Sequence, residues 1–234
     1  MGQLMNAGAK LQLSSGHSGE GAADAASFYH NPNSPAGWDL TPEERAFAAE
    51  PAWMLMKNRI VGKTVSFFGG LATSMQQRTS GDPHLSEIRQ TPPKISRGEN
   101  FQGLPWVVLD YPRRFGKQDI FAVRTLFWWG KYFSVTLHLK GSYKARWWQT
   151  IRERSDELEA AGFHIGIAGN EWRHELEDDN YRPLKGMNAA EREAIAGAHD
   201  FLKLSAKCGL SHGDETGPLL LRLHDTVMGV LESR

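Results

Sequence analysis

Residues 94–147 constrain this chain more than any other segment. Three runs dense in β-branched and aromatic residues follow one another there: Trp106 to Tyr111, Ile120 to Trp129 and Tyr132 to Lys140. Each is closed by a turn signal, namely Gly103 with Pro105, Pro112 with Gly116, and Gly130. Short apolar runs punctuated in this way read as antiparallel strands joined by tight connections. The block also holds twelve aromatic residues, and ten Lys and Arg against three acids, Glu99, Asp110 and Asp119. A ligand face is therefore expected on this sheet.

Around the strands the pattern turns helical. Thr41, Pro42 and Glu44 match a capping box, with Pro at the first helical position. A break is expected near Pro51. A second helix then carries Trp53, Met56, Ile60, Phe67, Leu71 and Met75, weakened in its middle by Gly69-Gly70. Ser80 to Pro93 reads as a loop. Tyr143 to Ala161 reads as a helix stopped by Gly162, and Phe163 to Ile167 as a short strand. Glu171 to Pro183 is acidic and irregular. Asn188 with Glu191 opens a helix expected to run to about Leu204, and Gly217-Pro218 opens the last one.

The expected fold class is α+β: an antiparallel meander sheet with helices packed on one face. Residues 1–38, rich in Gly, Ala, Ser and Asn, are expected to form a disordered arm. Residues 39–234 are expected to form a single domain.

The register of the last hairpin decides what each sheet face displays. A two-residue loop, Gly130-Lys131, sets Trp129 opposite Tyr132. Arg124 then shares a core face with Ile120, Ala122, Leu126, Trp128, Phe133, Val135, Leu137 and Leu139. Burial of its guanidinium calls for an acid, and Asp110 on the neighbouring strand is a candidate. A three-residue loop shifts the pairing by one and brings Arg124 beside Tyr132 and His138. Both registers stay open.

Net charge is zero, but local balances are −1 over residues 1–93, +7 over 94–147 and −6 over 148–234. The positive block and the acidic C-terminal part either neutralise each other on packing or leave a positive face for an anionic partner. Six residues form the candidate ligand site: Arg97, Asp110, Arg113, Arg124, Tyr132 and His138. Adjacent guanidinium groups with an orienting carboxylate suit a phosphate or carboxylate. The competing reading is an amphipathic sheet surface with a charged turn.

Other chemistries find little support. Cys208 is the only cysteine, so no internal disulfide forms and no cysteine-based metal site exists. His174 and His212 lie near acids without metal-ligand spacing, so no metal and no cofactor is expected. No stretch approaches the ~18 apolar residues of a membrane span. No apolar leader follows Lys10, so the cytoplasm is the expected compartment. Nucleic-acid binding ranks low, because overall charge is neutral and no RNA-binding consensus is present.

The run from Pro92 through Lys94, Arg97 and Asn100, then Leu104-Pro105-Trp106 and Asp110-Tyr111-Pro112 to Phe127-Trp128-Trp129-Gly130, resembles an uncharacterised bacterial family over about residues 90–141. That resemblance implies no activity, substrate or cofactor. The leading expectation is a binding or accessory module for an anionic small molecule or a protein partner. The alternative is a hydrolase or transferase for a phosphorylated or carboxylated substrate, with His138 as base and Arg97, Arg113 and Arg124 as anion holders. Single-stranded nucleic-acid binding follows them. Oligomeric state is not legible.

Overall fold

A computed structural model of the chain describes residues 39–232, so the arm expected over residues 1–38 lies outside the described part. Two compact units divide between Ala52 and Trp53. In the first, helix α1 (Pro42–Ala48) begins with the expected capping box: Glu44 N–H donates to Thr41 Oγ1 and Thr41 N–H to the Glu44 carboxylate.

The second unit contains one seven-stranded antiparallel sheet. Its strands are β1 (Lys94–Phe101), β2 (Leu104–Phe115), β3 (Ile120–Trp128), β4 (Tyr132–Lys140), β5 (His164–Gly166), β6 (Tyr181–Pro183) and β7 (Phe201–Cys208). Their spatial order is β1-β2-β3-β4-β7-β5-β6. Six helices accompany the sheet: α2 (Pro51–Gln76, which starts just before the division), α3 (Pro83–Arg89), α4 (Ser142–Glu153), α5 (Ser155–Ala160), α6 (Ala189–Gly197) and α7 (Thr216–Gly229). The fold is α+β, with the helices mostly on one side of the sheet, as the sequence indicates.

The core explains the helices. In α2, Val61, Thr64, Phe68, Leu71, Ala72 and Met75 recur at helical spacing and are all buried. Gly69-Gly70 does not end this helix. Two glycines cost about 1 kcal/mol each relative to Ala, whereas burying Phe68, Leu71 and Met75 contributes roughly 1.5–3 kcal/mol apiece. Two further expectations need correction. The expected loop at residues 80–93 contains α3, whose Asp82 side chain accepts from His84 and Leu85 N–H ahead of Pro83. The expected single helix over residues 143–161 is two, divided at Arg154.

The helix expected to reach Leu204 ends at Gly197, and β7 takes its place. Leu202, Leu204, Ala206 and Cys208 face the helices, while Phe201, Lys203, Ser205 and Lys207 face away. That is period two, and it wins because β4 offers β7 a complete ladder from Phe133 to Lys140.

The hairpin takes the three-residue option. Trp128 pairs with Tyr132 around Trp129, Gly130 and Lys131, with Gly130 at φ 68°. Phe121, Val123 and Phe127 therefore join Val135, Leu137 and Leu139 beneath the helices. Arg124 moves to the opposite face with Tyr132 and His138. The two-residue register would have set a guanidinium in the same layer as Val135, Leu137 and Leu139, where burying its charge is costly.

That opposite face is partly covered by a strap, residues 167–180, between β5 and β6. Leu176 of the strap packs with Tyr181, Val108, Leu126, Trp128 and Tyr132 in a second, smaller apolar cluster.

Candidate functional site

Six strands contribute one polar residue each to a single row on the strap-covered face. Lys94 stands opposite Asp110, Asp110 opposite Arg124, Arg124 opposite Thr136, Thr136 opposite Ser205, and Ser205 opposite His164. Directly opposed residues on one face are close enough to interact, and two of these five pairs are joined by side-chain hydrogen bonds. Arg124 Nε and Nη2 donate to Asp110 Oδ1 and Oδ2 at 2.7 and 2.9 Å. This is a bidentate pair with side chains 19% and 7% exposed. The Thr136 and Ser205 hydroxyls lie 2.7 Å apart.

The strap is fastened to this face by polar contacts. Arg124 Nη1 donates to His174 Nε2 at 2.6 Å. Accepting there leaves His174 with its proton on Nδ1, a buried atom without a hydrogen-bond partner among the described residues. Burial first, and the Arg124 cation second, hold the His174 pKa well below the usual histidine range. Glu171 accepts from His138 Nε2 at 3.1 Å and from Lys140 Nζ at 2.7 Å. Leu176 N–H donates to the Tyr132 hydroxyl at 2.8 Å. Lys203 Nζ donates to the Arg173 carbonyl and lies 5.2 Å from the Tyr181 ring.

Two of the groups under the strap are strongly perturbed. His138 is 4% exposed, and its pKa is lowered to about 4, by burial, then by Lys203, against the opposing pull of Glu171. The Lys203 pKa is lowered to about 7, by burial and by Arg124. Both shifts favour the uncharged form where low dielectric and neighbouring cations oppose a further positive charge.

Beside this sealed layer lies an open cleft of about 490 Å³, lined by Lys94, Ser96, Trp106, Val108, Asp110, Arg113, Phe115, Arg124 and Trp172. Arg113 reaches it through a bulge. Asp110 pairs with Arg124 but Arg113 pairs with Ala122, so β2 spends one residue more than β3 between these pairs. Regular alternation would have sent Arg113 to the helix face; the extra residue returns it to the face of Asp110. Arg113 Nε donates to the Pro92 carbonyl at 3.2 Å. Trp106 lies over Gly98, where a Cβ would come within 2.6 Å of the indole. Glycine there lets the ring settle against the strand.

The six expected residues thus separate. Asp110, Arg113 and Arg124 line the cleft. Tyr132 and His138 share their face but are held under the strap. Arg97 stands opposite Val107, on the helix-facing side of β1 with Ile95, so it does not join the other five. Arg114 pairs with Glu87 at 2.8 Å, away from the cleft. Sequence reasoning missed Lys94, Trp106, Trp172, Glu171, Lys203 and Ser205. The alternation of Phe201 to Cys208 was the available signal for the last two.

Among the described residues, no group of three or more His, Cys, Asp or Glu side chains is arranged to hold a metal ion. No described helix is long and apolar enough to cross a membrane. Compared with protein-family models, curated proteins and solved structures, the chain matches none, so the resemblance over residues 90–141 carries no family assignment.

Proposed function

We propose that this chain is a binding protein for an anionic small molecule, held in the cleft between β1, β2, β3 and the strap. One observation carries the reading: three cations, Lys94, Arg113 and Arg124, line the cleft against a single carboxylate, Asp110. Asp110 is engaged by Arg124 through both oxygens. Lys94 and Arg113 have no carboxylate within ion-pair distance among the described residues. Like charges gathered without counterions are costly, and an anion relieves that cost. A volume of about 490 Å³ lies in the range of small-molecule sites.

A hydrolase or transferase using His138 as base has less support. The imidazole is 4% exposed, is held by Glu171 and packs edge-on to Trp172 and Phe201. It is not part of the cleft lining, whereas a general base has to reach the proton it removes. A cytoplasmic location, inferred from the single, buried Cys208, belongs to the same proposal.

Thermal unfolding in phosphate, sulfate and short dicarboxylates tests the reading. At a hundred times its Kd a ligand stabilises by about 2.7 kcal/mol, or roughly 5–10 °C for a domain of this size. The shift should disappear in Lys94→Ala/Arg113→Ala. An equal shift in that variant, or none in the wild type with any of these anions, overturns the proposal.

A further inference from the structure

The cleft has an aromatic half as well as a cationic one. Phe115, at the end of β2, and Trp172, in the strap, are 42% and 51% exposed. Their ring centroids are 6.5 Å apart at 34°. Both line the same cleft as Lys94 and Arg113, and Trp106 supplies a third ring. The indole of Trp172 is presented by a fastened backbone. The backbone N–H of Trp172 donates to Asn170 Oδ1 at 2.9 Å. Glu171 before it is held by His138 and Lys140, and the carbonyl of Arg173 after it by Lys203. Large, solvent-exposed rings beside a positive site, one of them on a fastened backbone, resemble a stacking surface more than a packing defect.

Charge and size narrow the occupant. Once Asp110 offsets Arg124, Lys94 and Arg113 leave a local excess of two positive charges. A phosphate monoester, at about −1.5 to −2 near neutral pH, matches that excess; a single carboxylate does not. A bare phosphate would fill only a small part of about 490 Å³.

Resting on the anion-binding reading above, we propose that the occupant is a phosphate monoester carrying a planar aromatic ring, of mononucleotide size. The phosphate lies against Lys94 and Arg113, and the ring stacks on Trp172 and Phe115. Specificity then divides between two parts of the cleft. The cations set affinity for the phosphate, and the rings discriminate aromatic from non-aromatic esters.

Calorimetric titration of the full chain with AMP, ribose 5-phosphate, adenosine and inorganic phosphate tests this division. Stacking on an aromatic side chain should make AMP bind about tenfold or more tighter than ribose 5-phosphate. Adenosine, lacking the phosphate, should bind at least about tenfold more weakly than AMP. In Trp172→Leu the advantage of AMP should fall below about threefold while ribose 5-phosphate affinity is retained. Phe115→Leu serves the same purpose should Trp172→Leu fail to fold. If AMP and ribose 5-phosphate bind the wild type equally, the ring assignment is overturned while the anion reading survives. If no phosphate compound binds, this inference falls, and the anion reading falls with it when sulfate and the dicarboxylates also fail to stabilise the chain. An AMP advantage undiminished in both variants overturns the stacking position.

Discussion

Removing one partner of the Asp110–Arg124 pair should cost far more than removing both. In Asp110→Ala, Arg124 loses the acceptors of Nε and Nη2 and keeps only His174. Breaking a fully buried pair costs about 3–5 kcal/mol, because a charge remains without compensation. Arg124 is 19% exposed and borders the open cleft, so water recovers part of that, and we predict roughly 2–4 kcal/mol. Arg124→Met should cost a similar amount, since it leaves the Asp110 carboxylate, 7% exposed, facing an apolar chain. In the double variant Asp110→Ala/Arg124→Met no charge is stranded. Its cost should be well below the sum of the singles, giving a coupling of at least ~2 kcal/mol. Urea unfolding at pH 7, followed by far-ultraviolet circular dichroism, supplies the four free energies. Additive costs, or a single-variant cost under ~1 kcal/mol, would refute the idea that this pair anchors the polar row.

Two other outcomes follow from burial. Leu137→Ala should cost about 2–5 kcal/mol by equilibrium unfolding, because Leu137 has no exposed surface beneath the helices; a cost within ~0.5 kcal/mol would contradict the described register. For pH, the His138 pKa in the folded chain is about 4 against an ordinary 6.5. The unfolded chain therefore binds more protons between these values, and stability rises with pH across that window. Acidification from about pH 6.5 to about pH 4 should remove about 3 kcal/mol through this group, and His138→Gln should flatten the slope; an unchanged slope in that variant would reassign the effect.

Much of the sheet was legible in the sequence, and the rest was hidden for identifiable reasons. The strand runs, the core face of β4 and the candidate pairing of Arg124 with Asp110 follow from alternation and from the demand that a buried guanidinium meet an acid. The hairpin register did not follow, because Gly130 suits both a two-residue and a three-residue loop, and one residue of slip inverts β3 relative to β4. The strand β7 was masked by the well-formed cap at Asn188, which opens a helix that runs only to Gly197. Alternation of Leu202, Leu204 and Ala206 with Lys203, Ser205 and Lys207 is the strand signal, and β4 supplies the ladder. The bulge that brings Arg113 round to the cleft is a tertiary choice, with Pro112 as its one local sign. The cleft itself was not legible, since Trp172 reaches Phe115 from a strap whose path depends on contacts with three strands.

The anion-binding claim is tested most directly at the guanidinium groups themselves. In a phosphate titration followed by the arginine Nε–Hε resonances, Arg113 and Arg124 should shift together and saturate. Arg97, on the helix-facing side of β1, and Arg114, paired with Glu87, should stay still. Resonances of all four that drift without saturation, or Arg113 and Arg124 unmoved at high phosphate, would contradict the assignment of the cleft.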